Sequence, residues 1–151
     1  MNNPETSELT IRSVEMDDAL DLARLSLQLG YANTTREIQE RLEVLLFDGD
    51  NAIFVAVING QIAGWIQAER VRHLIVAPFV EIGALIVDED QRSRGIGKAL
   101  LNRAEEWARE HGLSSLWVRS NVVRLQAHNF YLDQGYHLLK SQKVFVKDLA
   151  P

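Results

Sequence analysis

Residues 92–98 combine glycines with basic side chains in a pattern that can bind an anion. They read Arg92-Ser-Arg-Gly-Ile-Gly-Lys98 and lie where an apolar stretch gives way to a helix-forming one. At such a step, free backbone N–H groups and the positive end of the helix dipole attract anions. Gly95 and Gly97 allow close approach of the main chain. The pattern predicts a phosphate-binding turn, although a helix start of this composition also occurs without phosphate binding.

Two familiar phosphate-binding loops do not fit this segment. The sequence has no G-x-x-x-x-G-K-[ST], and Leu100 stands where a dinucleotide-binding loop needs its third glycine or alanine. The segment instead resembles the R/Q-x-x-G-x-G/A signature of the GNAT superfamily of acetyl-CoA-dependent N-acetyltransferases, with Arg92, Gly95 and Gly97 at the defining positions. Ala127-x-x-x-Tyr131, followed by Gly135-Tyr136, is similar to the late helix of that family.

The resemblance implies how coenzyme A is bound. In the family, the glycine turn and helix start bind the pyrophosphate, and the preceding strand pairs with the pantetheine arm. Arg124 stands where the family usually has an asparagine, so Asn121 is expected to make that contact instead. The implied coenzyme-binding residues are Leu85, Ile86, Val87, Arg92, Ser93, Arg94, Gly95, Ile96, Gly97, Lys98, Asn121 and Ala127.

Glu81 is the one charged residue of the apolar stretch 79–87. Strand alternation predicts that it shares a face with Gly83, Leu85 and Val87. In family members that use a glutamate base, a glutamate at this distance before the signature arginine takes the proton of the acceptor amine, and Glu81 aligns with it. The alternative is a carboxylate that only solvates the strand end. Gly83 is consistent with the family's strand bulge, or with simple packing.

Tyr131 is the second candidate catalytic residue. The resemblance implies that it donates a proton to the departing thiolate, a role that suits a phenol with a pKa near 10. Its apolar neighbours Phe130 and Leu132 also fit an aromatic packing residue. In the family the acceptor site involves the first two helices and nearby strands, and the candidate residues here, each of which also fits ordinary packing, are Tyr31, Trp65 and Gln67.

The elements that position these residues follow an α/β order. Residues 9–14 alternate as a strand, Asp17 is the predicted N-cap of the first helix, and the Thr34-x-x-Glu37 spacing predicts a capping box for the second. Asn59-Gly60 between apolar runs is typical of a hairpin. The remaining predicted elements are a strand at 79–87, a helix from Gly95 ending at Gly112, a strand at 116–120, a helix at 124–134, and short strands at 136–139 and 144–146.

This order predicts a mixed antiparallel and parallel sheet with helices on both faces. The α/β class follows from the elements, and the resemblance implies a GNAT-like acyl-CoA N-acyltransferase fold. Residues 1–8 are expected to form a flexible tail and residues 9–149 a single domain. With 46% hydrophobic and 25% charged residues among 151, the chain has the composition of one globular domain.

Charge and residue usage narrow the function classes. The net charge of −5 disfavours nucleic-acid binding, and no apolar run is long enough to cross a membrane. The chain has no cysteine, which excludes a thiol nucleophile and fits a reducing compartment, so a cytoplasmic location is expected. The four histidines show no paired metal-ligand spacing, so no metal is expected.

The resemblance implies an enzyme that transfers the acetyl group of acetyl-CoA directly to a primary amine of a small molecule or protein. The sequence leaves open the acceptor and the choice between monomer and homodimer. One alternative is a non-catalytic acyl-CoA-binding sensor or interaction module, and Glu81 together with Tyr131 favours the enzyme over it. A plain nucleotide-binding domain would rest on the phosphate-binding turn alone.

Overall fold

A computed structural model of the protein describes residues 8–120 and 124–151. The chain divides into two compact units, residues 1–119 and residues 120–151. Asn121 and residues 1–7 of the expected tail lie outside the described residues. A single domain over residues 9–149 therefore stays a prediction.

The first unit contains a five-stranded mixed sheet in the order β1-β2-β3-β4-β5. The strands are β1 (Leu9–Ser13), β2 (Asn51–Ile58), β3 (Gln61–Val71), β4 (Phe79–Val87) and β5 (Leu116–Val118). Neighbouring strands are antiparallel from β1 to β4, whereas β4 and β5 are parallel. The predicted mixed sheet is confirmed. The tight hairpin between β2 and β3 reverses the chain and makes these strands antiparallel, whereas the helix between β4 and β5 returns the chain and makes those strands parallel.

The helices of the first unit are α1 (Ala19–Gln28), α2 (Thr35–Leu45) and α3 (Ile96–Glu110). The predicted capping box is confirmed: the Thr34 side chain accepts a hydrogen bond from the Glu37 N–H, and the Glu37 carboxylate accepts one from the Thr34 N–H. Gly112, with φ of 71°, ends α3 in the left-handed conformation, as predicted.

The predicted N-cap of α1 is wrong by one residue. A 3₁₀ turn at Met16–Asp18 precedes the helix, and Asp18 rather than Asp17 occupies the cap position. The buried Asp18 carboxylate accepts hydrogen bonds from the Arg12 guanidinium at 2.8 and 2.9 Å and from the Glu15 N–H at 2.8 Å. This network holds the entry to α1 against β1.

The second unit contains α4 (Leu125–Asp133), close to the predicted helix at 124–134. The two short strands predicted at 136–139 and 144–146 are wrong, since the structure assigns neither helix nor strand to any described residue from 136 onward. Val144, Phe145 and Val146 are exposed. An alternating apolar pattern forms a strand only when a neighbouring strand takes up its backbone hydrogen bonds.

Helices cover both faces of the sheet, as predicted. On one face, Ile53, Val55 and Ile86 share a core with residues of α1 and α2, namely Leu22, Leu25 and Leu42. Phe54 points to the opposite face because side chains alternate along a strand, and the Arg103 guanidinium of α3 lies 4.4 Å from its ring centre. The apolar side of α3, formed by Ile96, Leu100, Leu101, Ala104 and Ala108, is buried.

Gly64 of β3 lies where α3 comes closest to the sheet. A Cβ atom at this position would sit 2.8 Å from the Ile86 carbonyl oxygen, 3.1 Å from Ile96 and 3.2 Å from Leu100. The first of these contacts is with backbone, which cannot rotate away. Glycine here sets the spacing between the start of α3 and the strands beneath it.

Gly64→Ala is therefore expected to lower the free energy of unfolding by about 1–3 kcal/mol, because the added methyl group overpacks the β3–α3 contact. Denaturant titration measures this change. Gly49→Ala is the matched control, since a Cβ at Gly49 meets nothing within 4 Å and its φ is not positive. Equal effects of the two substitutions would contradict the packing role of Gly64.

Candidate functional site

A β-bulge interrupts β4 at Gly83. Across the β3–β4 ladder, Ile82 pairs with Ala68 and Ala84 pairs with Gln67, so Gly83 has no partner residue on β3. Of the two interpretations that the sequence left open for Gly83, a bulge or simple packing, the bulge is present. An extra residue in one strand shifts the side-chain alternation beyond it by one position.

The shift corrects the predicted neighbours of Glu81. Before the bulge, Glu81 lies on the face covered by α1 and α2; after it, Ala84 and Ile86 lie on that face. The prediction that Glu81 shares a face with Leu85 and Val87 is wrong, because strict alternation does not hold across Gly83. Glu81 instead lies on the same face as Ile86, whose side chain belongs to the core beneath α1.

One edge of β4 is open beyond the bulge. β5 pairs only with residues 80–82 of β4, and within the first unit no other strand pairs with that edge of residues 84–87. Backbone N–H and C=O groups along such an edge can bind an extended ligand like an added strand. Leu85, Ile86 and Val87, three of the residues implied for coenzyme binding, lie along this segment.

The predicted phosphate-binding turn leads from β4 into α3. Gly95, with φ of 76°, is the N-cap residue, and no side chain caps the helix. The first-turn N–H groups of Ile96, Gly97 and Lys98 therefore have no acceptor within the helix. The turn also contains Ser93 with φ of 69°. These features fit an anion bound through backbone N–H groups.

Basic side chains surround the start of α3. Arg92, Arg94 and Lys98 are exposed, and among residues 8–120 and 124–151 none of the three forms an ion pair. Their charge is thus available to a ligand and adds to that of the helix dipole. The turn has the electrostatics that a pyrophosphate requires.

Asp88 connects this turn to α1. Its carboxylate accepts hydrogen bonds from Arg24 and Gln28 side chains, both at 3.3 Å, and from the Asp90 N–H at 3.1 Å. The side-chain oxygen Oε1 of Gln28 accepts a hydrogen bond from the Glu89 N–H at 2.9 Å. Burial by itself raises the pKa of the Asp88 carboxyl, but these hydrogen bonds outweigh it, so the pKa lies below the usual value. Sequence reasoning missed this contact.

Glu81 forms an ion pair with Arg119. The Nε–H of Arg119 donates a hydrogen bond to Oε1 of Glu81, and the exposed fractions of the two side chains are 52% and 23%. Trp117 of β5 is the register partner of Glu81, and Arg119 follows two residues later on the same face. The candidate base is therefore accessible to solvent beside a guanidinium that sequence reasoning did not single out.

Two of the three candidate acceptor residues lie on the face of Glu81. The Trp65 side chain packs against the core beneath α1, and its indole N–H is buried without a hydrogen-bond partner among the described residues. Gln67 donates a hydrogen bond to the Asn51 side chain at 3.1 Å. Tyr31 follows α1 and is 66% exposed. The structure thus groups Trp65 and Gln67 with Glu81 on one sheet face.

Tyr131 and Ala127 lie on α4 in the second unit. The Tyr131 ring packs edge-on against Phe130 and Tyr136, with ring centres 5.3 and 6.0 Å apart. Burial raises the pKa of the Tyr131 phenol, and the nearby Arg124 guanidinium partly opposes this rise. The phenol therefore carries its proton at neutral pH. Its catalytic role stays a prediction.

Two further features concern metals and membranes. In the described ranges, no three His, Cys, Asp or Glu side chains are grouped as a metal site would require. No helix within the same ranges has the length and apolar character needed to cross a membrane.

The chain matches a protein-family model over most of its length. The model of the acetyltransferase (GNAT) family matches residues 16–136, which include β4, the glycine turn, α3 and α4. The chain belongs to this family.

Two curated relatives illustrate the similarity. An aminoalkylphosphonate N-acetyltransferase of Salmonella typhimurium is 39% identical over 83 residues, which are 54% of this chain and 54% of that protein. The match thus spans about half the length of that relative. An aminoglycoside N(6′)-acetyltransferase type 1 of Stenotrophomonas maltophilia is 28% identical over 148 residues, 94% of this chain and 95% of the relative.

A solved structure supports the fold. An aminoglycoside N-acetyltransferase in complex with coenzyme A matches with a TM-score of 0.86 and 18% identity, covering 98% of this chain and 100% of the other. The predicted GNAT-like fold is confirmed.

Asp88→Asn is expected to lower the free energy of unfolding by about 1–2 kcal/mol at neutral pH, because it removes a charged hydrogen-bond acceptor. The pKa of Asp88 in the folded protein lies below its ordinary value of about 3.9. The carboxylate therefore contributes its full stabilisation of the fold above about pH 3.9, and this stabilisation is lost as the pH falls through the lower native pKa. Denaturant titration at several pH values measures this.

The wild-type and Asp88→Asn proteins should therefore have similar free energies of unfolding in acid. Asp17→Asn, at an exposed aspartate of the turn before α1, is the control and should have a small effect throughout. A loss for Asp88→Asn that stays constant down to the acid limit would contradict the role of the carboxylate charge.

Proposed function

We propose that the protein is an acetyl-CoA-dependent N-acetyltransferase that transfers the acetyl group directly to a primary amine. The observation that carries the proposal is the continuity between the open edge of β4 at residues 84–87 and the uncapped, basic start of α3. The first suits an extended amide-containing arm, and the second suits a pyrophosphate. Coenzyme A contains these two parts in succession, and membership of the GNAT family supports the same ligand.

The proposed coenzyme contacts follow from this arrangement. Backbone groups of residues 85–87 pair with the pantetheine arm, and the N–H groups of residues 96–98 bind the pyrophosphate. Arg92, Arg94 and Lys98 supply compensating positive charge. Acetyl-CoA itself supplies an activated thioester, so the protein needs no covalent intermediate with the acetyl group.

Proton transfer is the main chemical task left to the side chains. An alkyl ammonium with a pKa of about 10.4 is almost wholly protonated at pH 7 and is then not nucleophilic. Glu81 takes this proton, directly or through water, and the free amine then forms the new N–C bond. The C–S bond of the thioester breaks, and Tyr131 gives a proton to the sulfur. The acylated nitrogen loses its second proton to solvent, Glu81 passes its proton to solvent as well, and solvent restores the proton of Tyr131.

The acceptor is proposed only as a primary amine. The names of the two curated relatives indicate an aminoalkylphosphonate and an aminoglycoside, which share an amine and little else. Trp65 and Gln67, on the face of Glu81, and Tyr31, after α1, are the proposed acceptor contacts. A cytoplasmic location remains our expectation from the absence of cysteine.

The direct test uses acetyl-CoA with an isotopically labelled acetyl group and a panel of primary amines. Free thiol and labelled N-acetyl product are measured together. We expect them to appear in equal amounts and only when an accepted amine is present. Coenzyme A binding without amine-dependent thiol release would identify an acyl-CoA-binding sensor instead.

Gly97→Glu is expected to weaken coenzyme A binding about tenfold or more, because its carboxylate would meet the pyrophosphate in the first turn of α3. A glutamate in this turn is compatible with the helix dipole, so the fold should persist. Isothermal titration calorimetry measures the affinity. Gly49→Glu adds the same charge in open surroundings and is the control. Unchanged affinity in the folded Gly97→Glu protein would refute the coenzyme site.

Glu81→Gln is expected to lower kcat/KM about a hundredfold or more at neutral pH, because the amide cannot accept the amine proton. Activity should recover partly as the pH rises and free amine accumulates, while coenzyme A affinity stays constant. Glu106→Gln, on exposed α3 surface, is the control. A pH–rate profile equal to that of the wild type would assign deprotonation to another group or to solvent.

A further inference from the structure

Glu81 and Arg119 present opposite charges side by side on one face of the sheet. They belong to adjacent parallel chain segments, and the guanidinium donates to the carboxylate through its Nε–H. Both side chains reach solvent, with exposed fractions of 23% and 52%. A ligand that approaches the proposed base must therefore also meet Arg119.

A third charge extends this arrangement across the sheet. Glu69 of β3 is the register partner of Glu81, lies on the same face and is exposed. Within the described residues no ion pair joins Glu69 to a cation. From β3 to β5 the face thus carries two negative groups followed by a positive one. Such a gradient orients a dipolar ligand, with its cation over β3 and β4 and its anion toward Arg119.

The ion pair between Glu81 and Arg119 can be exchanged for contacts with a ligand. The pair contributes modestly to stability, because the Arg119 side chain is half exposed and water solvates its charge. Arginine also presents a planar fork of donors that matches carboxylate, phosphonate and phosphate oxygens in two parallel hydrogen bonds. The guanidinium is therefore suited to bind an oxyanion of a ligand.

Charge balance distinguishes between acceptor classes. An acceptor with positive charges only would compete with Arg119 for Glu81 and would leave two cations close together. A zwitterion instead replaces the internal pair by two pairs, its ammonium with Glu81 and its oxyanion with Arg119. Glu81 and Arg119 then each keep an opposite charge beside them.

We infer that the acceptor is a small zwitterion in which a primary amine lies a few bonds from an oxyanion, and that Arg119 binds this oxyanion. The inference rests on the proposed function and names the substrate class of the same site. Carboxylates and phosphonates share the required chemistry. Arg119 is then the residue that determines acceptor specificity, and Glu81 keeps its part as the base.

The test compares matched acceptors on the wild-type protein. β-Alanine is paired with β-alaninamide, and 2-aminoethylphosphonate with its diethyl ester, so that each pair differs in the anionic charge; spermidine and an aminoglycoside represent polycations. We expect kcat/KM for the zwitterion of at least one pair to exceed that of its uncharged counterpart about ten- to a hundredfold. The pair that responds distinguishes carboxylate from phosphonate recognition.

The variant Arg119→Gln should remove this preference by raising KM for the zwitterion about tenfold or more, with little change for its counterpart. Arg119→Lys keeps the positive charge but lacks the planar pair of donors, and it should retain part of the preference for the zwitterion. Arg109→Gln, the control, removes an exposed arginine from α3 on the opposite side of the sheet and should retain the whole preference for the zwitterion. Coenzyme A affinity and thermal unfolding confirm that each protein is intact.

Several outcomes would overturn the inference. Equal or higher kcat/KM for uncharged counterparts or polycations would do so while leaving the proposed transferase activity in place. A zwitterion preference that survives unchanged in folded Arg119→Gln would remove Arg119 from recognition. Failure of every amine to give acetylated product would overturn the proposed function itself, and the inference with it.

Discussion

The β-bulge at Gly83 controls which groups β4 offers to a ligand. The ladder to β5 extends only to Ile82, and the register against β3 resumes at Ala84. The extra residue coincides with the point at which one strand edge becomes open. It also places Glu81 and Ile86 on the same face of the sheet. In our account, the open edge binds coenzyme and this face receives the acceptor. The bulge thus gives the two substrates separate but adjacent surfaces of β4.

The proposed coenzyme site requires a fixed position of the glycine turn relative to the open edge of β4. Two contacts provide it. Asp88 joins the end of β4 to α1 through Arg24 and Gln28. Gly64 lets the start of α3 approach the backbone of β4. The Asp88 contact lies beside the proposed coenzyme groups, and the Gly64 contact lies directly beneath them, at Ile86 and Ile96. Both fix the distance and direction between the edge and the free N–H groups of α3, which is how a rigid scaffold prepares a binding site.

Local sequence signals predicted much of the fold. The capping box at Thr34, the Asn59-Gly60 hairpin and the glycine turn depend on residues within a few positions of one another, and each is present. Contacts between distant segments were missed: Arg24 and Asp88 are 64 residues apart, and Glu81 and Arg119 are 38 apart. Their proximity depends on strand register and helix packing. The bulge at Gly83 was anticipated, but its effect on the facing of Glu81 follows only from the observed register.

The claim that the β4 edge and the start of α3 form one coenzyme-binding surface is tested most directly by amide hydrogen exchange with and without coenzyme A. Binding should slow exchange at the outward-facing amides of Leu85 and Val87 and at the amides of residues 96–98 together, because both groups acquire hydrogen-bond partners. Gly60 in the β2–β3 turn should be unaffected. Protection confined to one of the two segments, or found only elsewhere in the chain, would contradict the account.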